Sequence, residues 1–142
     1  MTARLDRLDD LARLGLAATW GSSLGHGDLR ADNLLVQPDG TVRIVDWPHA
    51  SRGAPWCDGV SLAVDVAQHG GLVGGADVLA VLEPWALGLG ATSDQVTGFL
   101  AGMAAYYADA ARHPAVPGLP TPRVHQGQAR DAAMLLLRSR LA

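Results

Sequence analysis

Lysine is absent from this sequence of 142 residues, which contains eleven arginines. Cysteine is scarce too: the single Cys57 excludes an intramolecular disulfide and is typical of a reducing compartment, so we expect a cytoplasmic protein. No apolar run is long enough to span a membrane, and residues 1–10 carry too many charges for a signal peptide. The formal net charge of −3 gives no general attraction to nucleic acid or to an anionic membrane. We therefore expect neither a nucleic acid nor a membrane as partner.

What the sequence does contain predicts one mainly helical domain. Hydrophobic residues make up 49% of the chain and charged residues 18%, which is typical of a globular protein with a substantial core. Leucines at helical spacing predict a leading helix within residues 1–20 (Leu5, Leu8, Leu11 and Leu14).

Two helices are predicted in the middle of the chain. We expect Asp58 to cap a helix that ends near His69. The glycine-rich run 70–75 then predicts a flexible joint, because it neither follows a strand nor ends in the Lys-Ser/Thr pair of a phosphate-binding loop. A short helix is predicted over 76–83, ending before Pro84 because proline disrupts a helix interior.

Two longer helices are predicted towards the end. Thr92 and Gln95 have the spacing of a capping box and predict a helix that reaches about Arg112. Pro122, directly after a threonine, is typical of the first position of a helix, which we expect to end near Leu141.

A short β-hairpin is predicted between the leading helix and these later helices. Residues 34–36 and 42–45 are apolar and β-branched enough to form its strands. The turn between them is Pro38-Asp39-Gly40, in which proline fixes φ and glycine allows a positive φ. Prolines and a glycine predict that residues 48–56 form an irregular loop.

The most informative motif reads His-Gly-Asp-Leu-Arg-Ala-Asp-Asn over residues 26–33, and Asp46 follows at the end of the hairpin. Phosphoryl transfer from a metal nucleotide needs a carboxylate that accepts the proton of an alcohol, and an amide and a carboxylate that hold Mg²⁺. Asp28 fits the first task. Asn33, the only asparagine of the chain, and Asp46 fit the second, because Mg²⁺ prefers oxygen ligands.

These residues resemble the aminoglycoside phosphotransferase family, a phosphotransferase enzyme family with a protein-kinase-like fold. Protein kinases carry the related H-R-D-x-x-x-x-N and D-F-G motifs. Here a glycine follows His26 and a tryptophan follows Asp46, which points to the small-molecule branch and its bacterial members reading L-R-A-D-N and V-D-W-P. The resemblance covers nearly the whole chain. It implies a mainly α (α+β) fold: the C-terminal lobe of a kinase-like fold, whose helices accompany a short β-hairpin with the catalytic and metal loops.

The resemblance also implies roles for three further residues. His26 would pack beneath the metal loop and hold the catalytic loop by hydrogen bonds. Asp58 would be a structural anchor for the helix that follows it. Arg30 has two interpretations that stay open, a cation that neutralises the moving phosphoryl group or a surface salt bridge. Asp32 receives no role.

The implied enzyme transfers the γ-phosphate of ATP or GTP, with Mg²⁺, to the hydroxyl of a small molecule. Residues 24–47 would carry the catalytic loop and the metal hairpin. Residues 58–142 would form a helical acceptor subdomain, whose acids, Asp65 and Asp109 among them, would attract a cationic acceptor.

Kinase-like enzymes hold the nucleotide between two lobes, and a lysine of the N-terminal lobe pairs with the α- and β-phosphates. A chain without lysine cannot make that contact, and the residues before His26 are too few for the sheet of that lobe. We therefore expect the C-terminal lobe alone, completed by a separate N-terminal lobe or self-associating through exposed apolar surface. By itself it would bind nucleotide weakly and turn over little.

Two other interpretations remain at this point. One is an inactive, truncated or degenerate lobe that serves as a binding module. The other is a metallohydrolase built from His26, Asp28 and Asp46. It is weaker because the remaining histidines show no zinc-type spacing (His49, His69, His113 and His125).

Overall fold

The computed structural model describes residues 2–70, 75–115, 117–118 and 121–141. Most of these residues are helical. The helices are α1 (Thr2–Ala17), α2 (Cys57–Gln68), α3 (Gly75–Gly88), α4 (Ser93–Arg112) and α5 (Pro122–Leu141). Among them no helix is long and apolar enough to cross a membrane.

Two small antiparallel ribbons lie between α1 and α2. In the first, β1 (Ser23–Gly25) pairs with β4 (Ser51–Gly53), and Leu24 lies opposite Arg52. In the second, β2 (Leu34–Val36) pairs with β3 (Val42–Ile44), and Leu35 lies opposite Arg43. A single 3₁₀ turn, Ala31–Asn33, leads into β2.

The hydrophobic core forms where α4 packs between α1 and α5, with α2 and α3 closing its sides. Its largest fully buried apolar side chains come from three helices (Val60, Val64, Val96, Leu100 and Leu136). Burying a side chain of this size stabilises the folded state by about 1.5–3 kcal/mol. The core therefore fixes α2, α4 and α5 as one body, against which the ribbons are placed.

Two glycines let α1 and α4 touch backbone to backbone. A Cβ on Gly98 would lie 1.8 Å from the carbonyl oxygen of Leu11, and a Cβ on Gly15 would lie 2.2 Å from the backbone of Gly98. No side chain fits at either position, so this crossing sets the distance between the two helices.

Several sequence predictions agree with these elements. The leading helix, the 34–36 and 42–44 strands and the helices ending at Arg112 and Leu141 are all present. The turn glycine, Gly40, has φ of 83° as expected. Thr92 and Gln95 form the predicted capping box: Thr92 Oγ1 accepts from Gln95 N–H at 3.2 Å, and Gln95 Oε1 accepts from Thr92 N–H at 2.8 Å.

Two predictions about local structure are wrong. Residues 48–56 are not wholly irregular, because 51–53 forms β4. Sequence pattern missed the β1–β4 ribbon because its strands have three residues each and their partners are far apart in the chain. Asp58 does not cap α2: the N-cap residue is Trp56, without a side-chain cap.

The predicted stop before Pro84 is also wrong, since α3 continues through it to Gly88. Leu82 and Ala86 are buried on either side of the proline. Trp85 lies over α2, where a Cβ on Gly59 would come within 2.1 Å of its ring. Tertiary packing therefore outweighs the cost of the proline, and Gly59 is explained by the tryptophan that covers it. Residues 71–74 of the predicted glycine joint lie outside the described residues.

Candidate functional site

Residues 24–33, here called the motif loop, are fastened to α2 by two aspartates. Asp58 accepts from His26 N–H at 2.6 Å and from Gly27 N–H at 3.0 Å. Asp65, whose side chain is buried, accepts from Ala31 N–H at 2.8 Å. The two aspartates are seven residues apart on α2, about two helical turns, so they lie on one face of the helix. One helix face thus holds both ends of the motif.

His26 joins the motif loop to the segment that precedes Asp46. Its ring is 1% exposed, and Nδ1 lies 3.3 Å from the backbone nitrogen of Asp28. Because that N–H can only donate, Nδ1 accepts, and Nε2 carries the proton that is donated to the carbonyl of Val45 at 2.9 Å. Trp47 packs edge-on against the ring, with centroids 4.7 Å apart. Both ring nitrogens are therefore used in holding backbone.

Asn33 also links the loop to the hairpin. The buried side-chain amide of Asn33 donates from Nδ2 to the carbonyl of Asp28 at 2.9 Å. The backbone carbonyl of Asn33 accepts from Val45 N–H at 3.0 Å. A carbonyl oxygen cannot donate, so the Asn33 side-chain atom that contacts the Asp28 carbonyl is the nitrogen Nδ2. The other side-chain atom, Oδ1, is therefore available to a cation. Oxygen is the ligand that Mg²⁺ prefers.

Asp46 has an unusual backbone. It is the only non-glycine among the described residues with positive φ, at 62°. Aspartate tolerates this left-handed conformation better than most residues. The indole nitrogen of Trp47 donates to the carbonyl of Ile44 at 2.9 Å and closes the turn around it. The Asp46 side chain is exposed, as a ligand to a bound nucleotide metal would need to be.

Arg30 shares its guanidinium among three neighbours. It forms a two-pronged contact with Asp32, with Nε–Oδ1 at 3.1 Å and Nη2–Oδ2 at 2.6 Å. This hydrogen bonding lowers the pKa of Asp32 and raises that of Arg30. Arg30 Nε is 3.9 Å from Asp28 Oδ1, and Nη1 is 3.4 Å from His125 Nε2. The contacts with Asp32 and Asp28 are salt bridges that place a cation beside Asp28, and a role of Arg30 towards a phosphoryl group stays a prediction.

A cavity of about 540 Å³ opens against the motif loop, and we call it the motif cavity. Its walls come from α1, the motif loop, α2, α4 and α5, and Asp28 and Arg30 lie in its lining. The sequence predicts an acceptor pocket within residues 58–142, whereas the motif cavity also has a wall from α1.

Three further polar residues of this cavity were not singled out as site residues. Gln68 Nε2 lies 3.0 Å from His125 Nδ1, which extends the contact between His125 and Arg30 to a chain of three side chains. Tyr107 stands on α4, where burial and then the charge of Asp28 raise the pKa of its phenol. No sequence spacing signals these three residues, because they come from three separate helices.

The expected attraction of a cation by Asp65 and Asp109 does not fit the geometry. Besides Ala31 N–H, Asp65 has His69 Nδ1 within 3.4 Å. Asp109 is not in the described lining of the motif cavity and pairs with Arg112 and His113. Both carboxylates are already engaged by neighbouring groups.

The donor set can be compared with two kinds of metal site. Within residues 2–70, 75–115, 117–118 and 121–141, no three His, Cys, Asp or Glu side chains are grouped as a metal centre. A metallohydrolase site at His26, Asp28 and Asp46 would need such a group, and the ring nitrogens of His26 are engaged elsewhere. Asn33 and Asp46 instead offer oxygen donors, the type of ligand that Mg²⁺ prefers.

Comparison with known families gives one match. The model of the phosphotransferase enzyme family matches residues 2–85, more than half of the chain. The matched range contains the motif loop, the hairpin and α2, and it ends within α3, short of the C-terminal helix to which the sequence resemblance extended. No curated protein and no solved structure matches the chain.

Proposed function

The chain belongs to the phosphotransferase enzyme family, and we propose that it is the catalytic C-terminal lobe of a kinase-like enzyme that transfers the γ-phosphate of ATP or GTP to a small-molecule hydroxyl. The observation that carries this proposal is the hydrogen-bond chain through His26 and Asn33. It connects the backbone of Asp28 with Val45, the residue before Asp46. The proposed base and the proposed metal ligands thus belong to one hydrogen-bonded unit.

Asp28 is the proposed base. It accepts the proton of the acceptor hydroxyl as that oxygen bonds to the γ-phosphorus and the bond to the nucleoside diphosphate breaks. In such a loose transition state the main task of the base is to orient the attacking oxygen. Arg30, 3.9 Å away, keeps the carboxylate oriented as a positioning residue. Asp28 lines the motif cavity, which we take as the place where the acceptor binds.

Asn33 and Asp46 would hold Mg²⁺ through Oδ1 and a carboxylate oxygen. When bound, the ion supplies neutralisation of the phosphate charge. The fixed amide of Asn33 and the exposed Asp46 in its left-handed turn support this assignment. His26 and Asp58 act structurally, by holding backbone.

The proposed lobe would meet a second lobe at the β2–β3 hairpin. This hairpin exposes four large apolar side chains (Leu35, Val36, Val42 and Ile44). Residues 1–142 contain no lysine for the nucleotide phosphates, so we place that contact on an N-terminal lobe outside these residues. Self-association through the exposed apolar side chains of this hairpin is the alternative that this surface allows.

Thermal unfolding with ATP or GTP, in the presence of Mg²⁺ or of EDTA, tests the nucleotide site. We expect stabilisation only with Mg²⁺, of about 1.4 kcal/mol when the nucleotide is ten times above its dissociation constant. Asp46→Asn keeps a residue that tolerates positive φ but removes the charge, and it should abolish this stabilisation.

Asp28→Asn is the matched variant for catalysis. It should bind Mg²⁺-nucleotide like the parent. The rate of any phosphate transfer should fall by about 10²–10⁴-fold. If neither nucleotide stabilises the parent, or if Asp46→Asn responds like the parent, the site assignment is wrong. Binding that depends on Asp46, without transfer to any alcohol, would indicate the binding-module alternative.

A further inference from the structure

The walls of the motif cavity are more apolar than those expected of a site that binds a polycation. Most of the surface that lines the cavity is apolar, and large side chains from α1, α2 and α4 contribute to it (Leu16, Val64, Phe99, Met103, Tyr106 and Tyr107). Cavities of about 300–1,000 Å³ with such walls and few polar groups bind drug-sized molecules through their apolar bodies. At about 540 Å³ the motif cavity is within this range.

The charged groups around the cavity are largely neutralised by one another. Asp9 and Arg13 pair at 2.9 Å on α1, and Arg30 pairs with Asp32 at 2.6 Å. Asp65 is engaged as described above. Asp28 is the exception, because its nearest cation is Arg30 at 3.9 Å. A ligand with several ammonium groups would lose much hydration here and find few carboxylates to replace it.

We infer that the acceptor bound in the motif cavity is an uncharged, drug-sized alcohol with a largely apolar or aromatic body. This inference rests on the proposed function, which supplies the role of the cavity. The apolar body lies against α1 and α4, and the hydroxyl points to Asp28. The chain of Gln68, His125 and Arg30 provides polar contacts at the α5 side, which orient the molecule.

Gly102 gives a direct way to test this. It lies within α4 and lines the cavity, and a Cβ built on it would meet no atom within 4 Å. Gly102→Leu therefore projects a side chain into free space in the cavity, and it improves helix propensity at the same time. Gly127 is its control: it is also inside a helix with no atom within 4 Å of a Cβ, but it is outside the described cavity lining.

The experiment is ligand-observed NMR without nucleotide, using two probe sets of matched size. One set contains neutral aromatic and alicyclic alcohols, and the other contains amino alcohols with two or more ammonium groups. We expect saturable binding from the neutral set. Gly102→Leu should weaken it about tenfold or more, Gly102→Ala should weaken it less, and Gly127→Leu should leave it unchanged.

Three outcomes would overturn the inference: preferential binding of the ammonium set, no binding from the neutral set, or unchanged binding in Gly102→Leu. Circular dichroism and thermal unfolding of each variant separate lost binding from lost folding, and Gly102→Ala provides the smaller change if the leucine variant is unstable. Because the binding experiment contains no nucleotide, its result does not depend on the nucleotide site. A failed nucleotide test is therefore distinguishable from a failed cavity test.

Discussion

The motif loop and the β2–β3 hairpin adjoin in the chain but are held in place differently. The loop gives three of its backbone N–H groups to Asp58 and Asp65, which belong to a helix more than thirty residues away. The hairpin depends on its own ladder and on a turn in which Asp39 accepts from Thr41 N–H at 2.9 Å and from its hydroxyl at 2.7 Å. Tertiary structure thus fixes the proposed base, whereas local pairing shapes the strand that leads to Asp46.

The difference suggests how the proposed site is organised. Preorganised groups lower the reorganisation that a reaction requires, which suits a base whose task is orientation. The proposed metal ligand Asp46 instead follows a strand that is paired locally, and its neighbour Val45 is bound to the motif loop. His26 and Asn33 connect the two regions.

The largest effect is expected from removing the anchor of the motif loop. Asp58→Ala deletes two charge-assisted hydrogen bonds to backbone N–H groups and should lower the free energy of unfolding by about 2–4 kcal/mol. Urea denaturation measures it. Asp39→Ala is the matched change in the hairpin turn and should cost clearly less, because water can replace its bonds. Equal losses would mean that the two regions are not held differently.

A smaller effect is expected at the exposed apolar face of the hairpin. Val36 is 71% exposed, so Val36→Thr should change the free energy of unfolding by less than about 0.5 kcal/mol. The same substitution at Val60, which is fully buried in α2, should cost about 1–3 kcal/mol because it buries a hydroxyl group. Chemical denaturation of both variants checks this. A Val36 loss as large as that at Val60 would show that the hairpin face is packed.

The smallest effect concerns two carboxyl groups, one in each region. A hydrogen bond from Arg30 lowers the pKa of Asp32, and hydrogen bonds from Thr41 lower the pKa of Asp39. A carboxyl group with a lowered pKa in the folded state stabilises the fold at pH values above its ordinary pKa. This stabilisation is lost as the pH falls through the pKa of the folded state. Arg30→Gln should therefore raise the pKa of Asp32 and leave that of Asp39 low. An NMR titration of the side-chain carboxyls decides it, and an unmoved Asp32 would contradict the assignment.

The strongest sequence predictions were those that depend on neighbours within a few residues. The capping box of Thr92 and Gln95, the turn at Gly40 and the apolar periodicity of α1 are local, and the sequence pattern alone predicts each of them. The grouping of Asp28, Asn33 and Asp46 pointed to the same family that the comparison found for residues 2–85. The roles of these side chains remain predictions.

The wrong predictions share a dependence on distant residues. Pro84 looked like a helix end because its own chemistry disfavours a helix, and only the burial of Leu82 and Ala86 and the packing of Trp85 decide otherwise. Asp58 looked like a cap because of its position, although its carboxylate is directed to His26 and Gly27. The spacing of Asp58 and Asp65 was a usable signal for two anchors on one helix face.

The sequence by itself determined the order of helices, the hairpin and the reactive residue types, because hydrophobic periodicity, caps and turns are set by neighbouring residues. Only the tertiary structure decided which carboxylates hold the motif loop and how α1 contributes to the motif cavity. Those features depend on contacts between segments far apart in the chain. Their free energy is available only once the core of α2, α4 and α5 has brought the segments together.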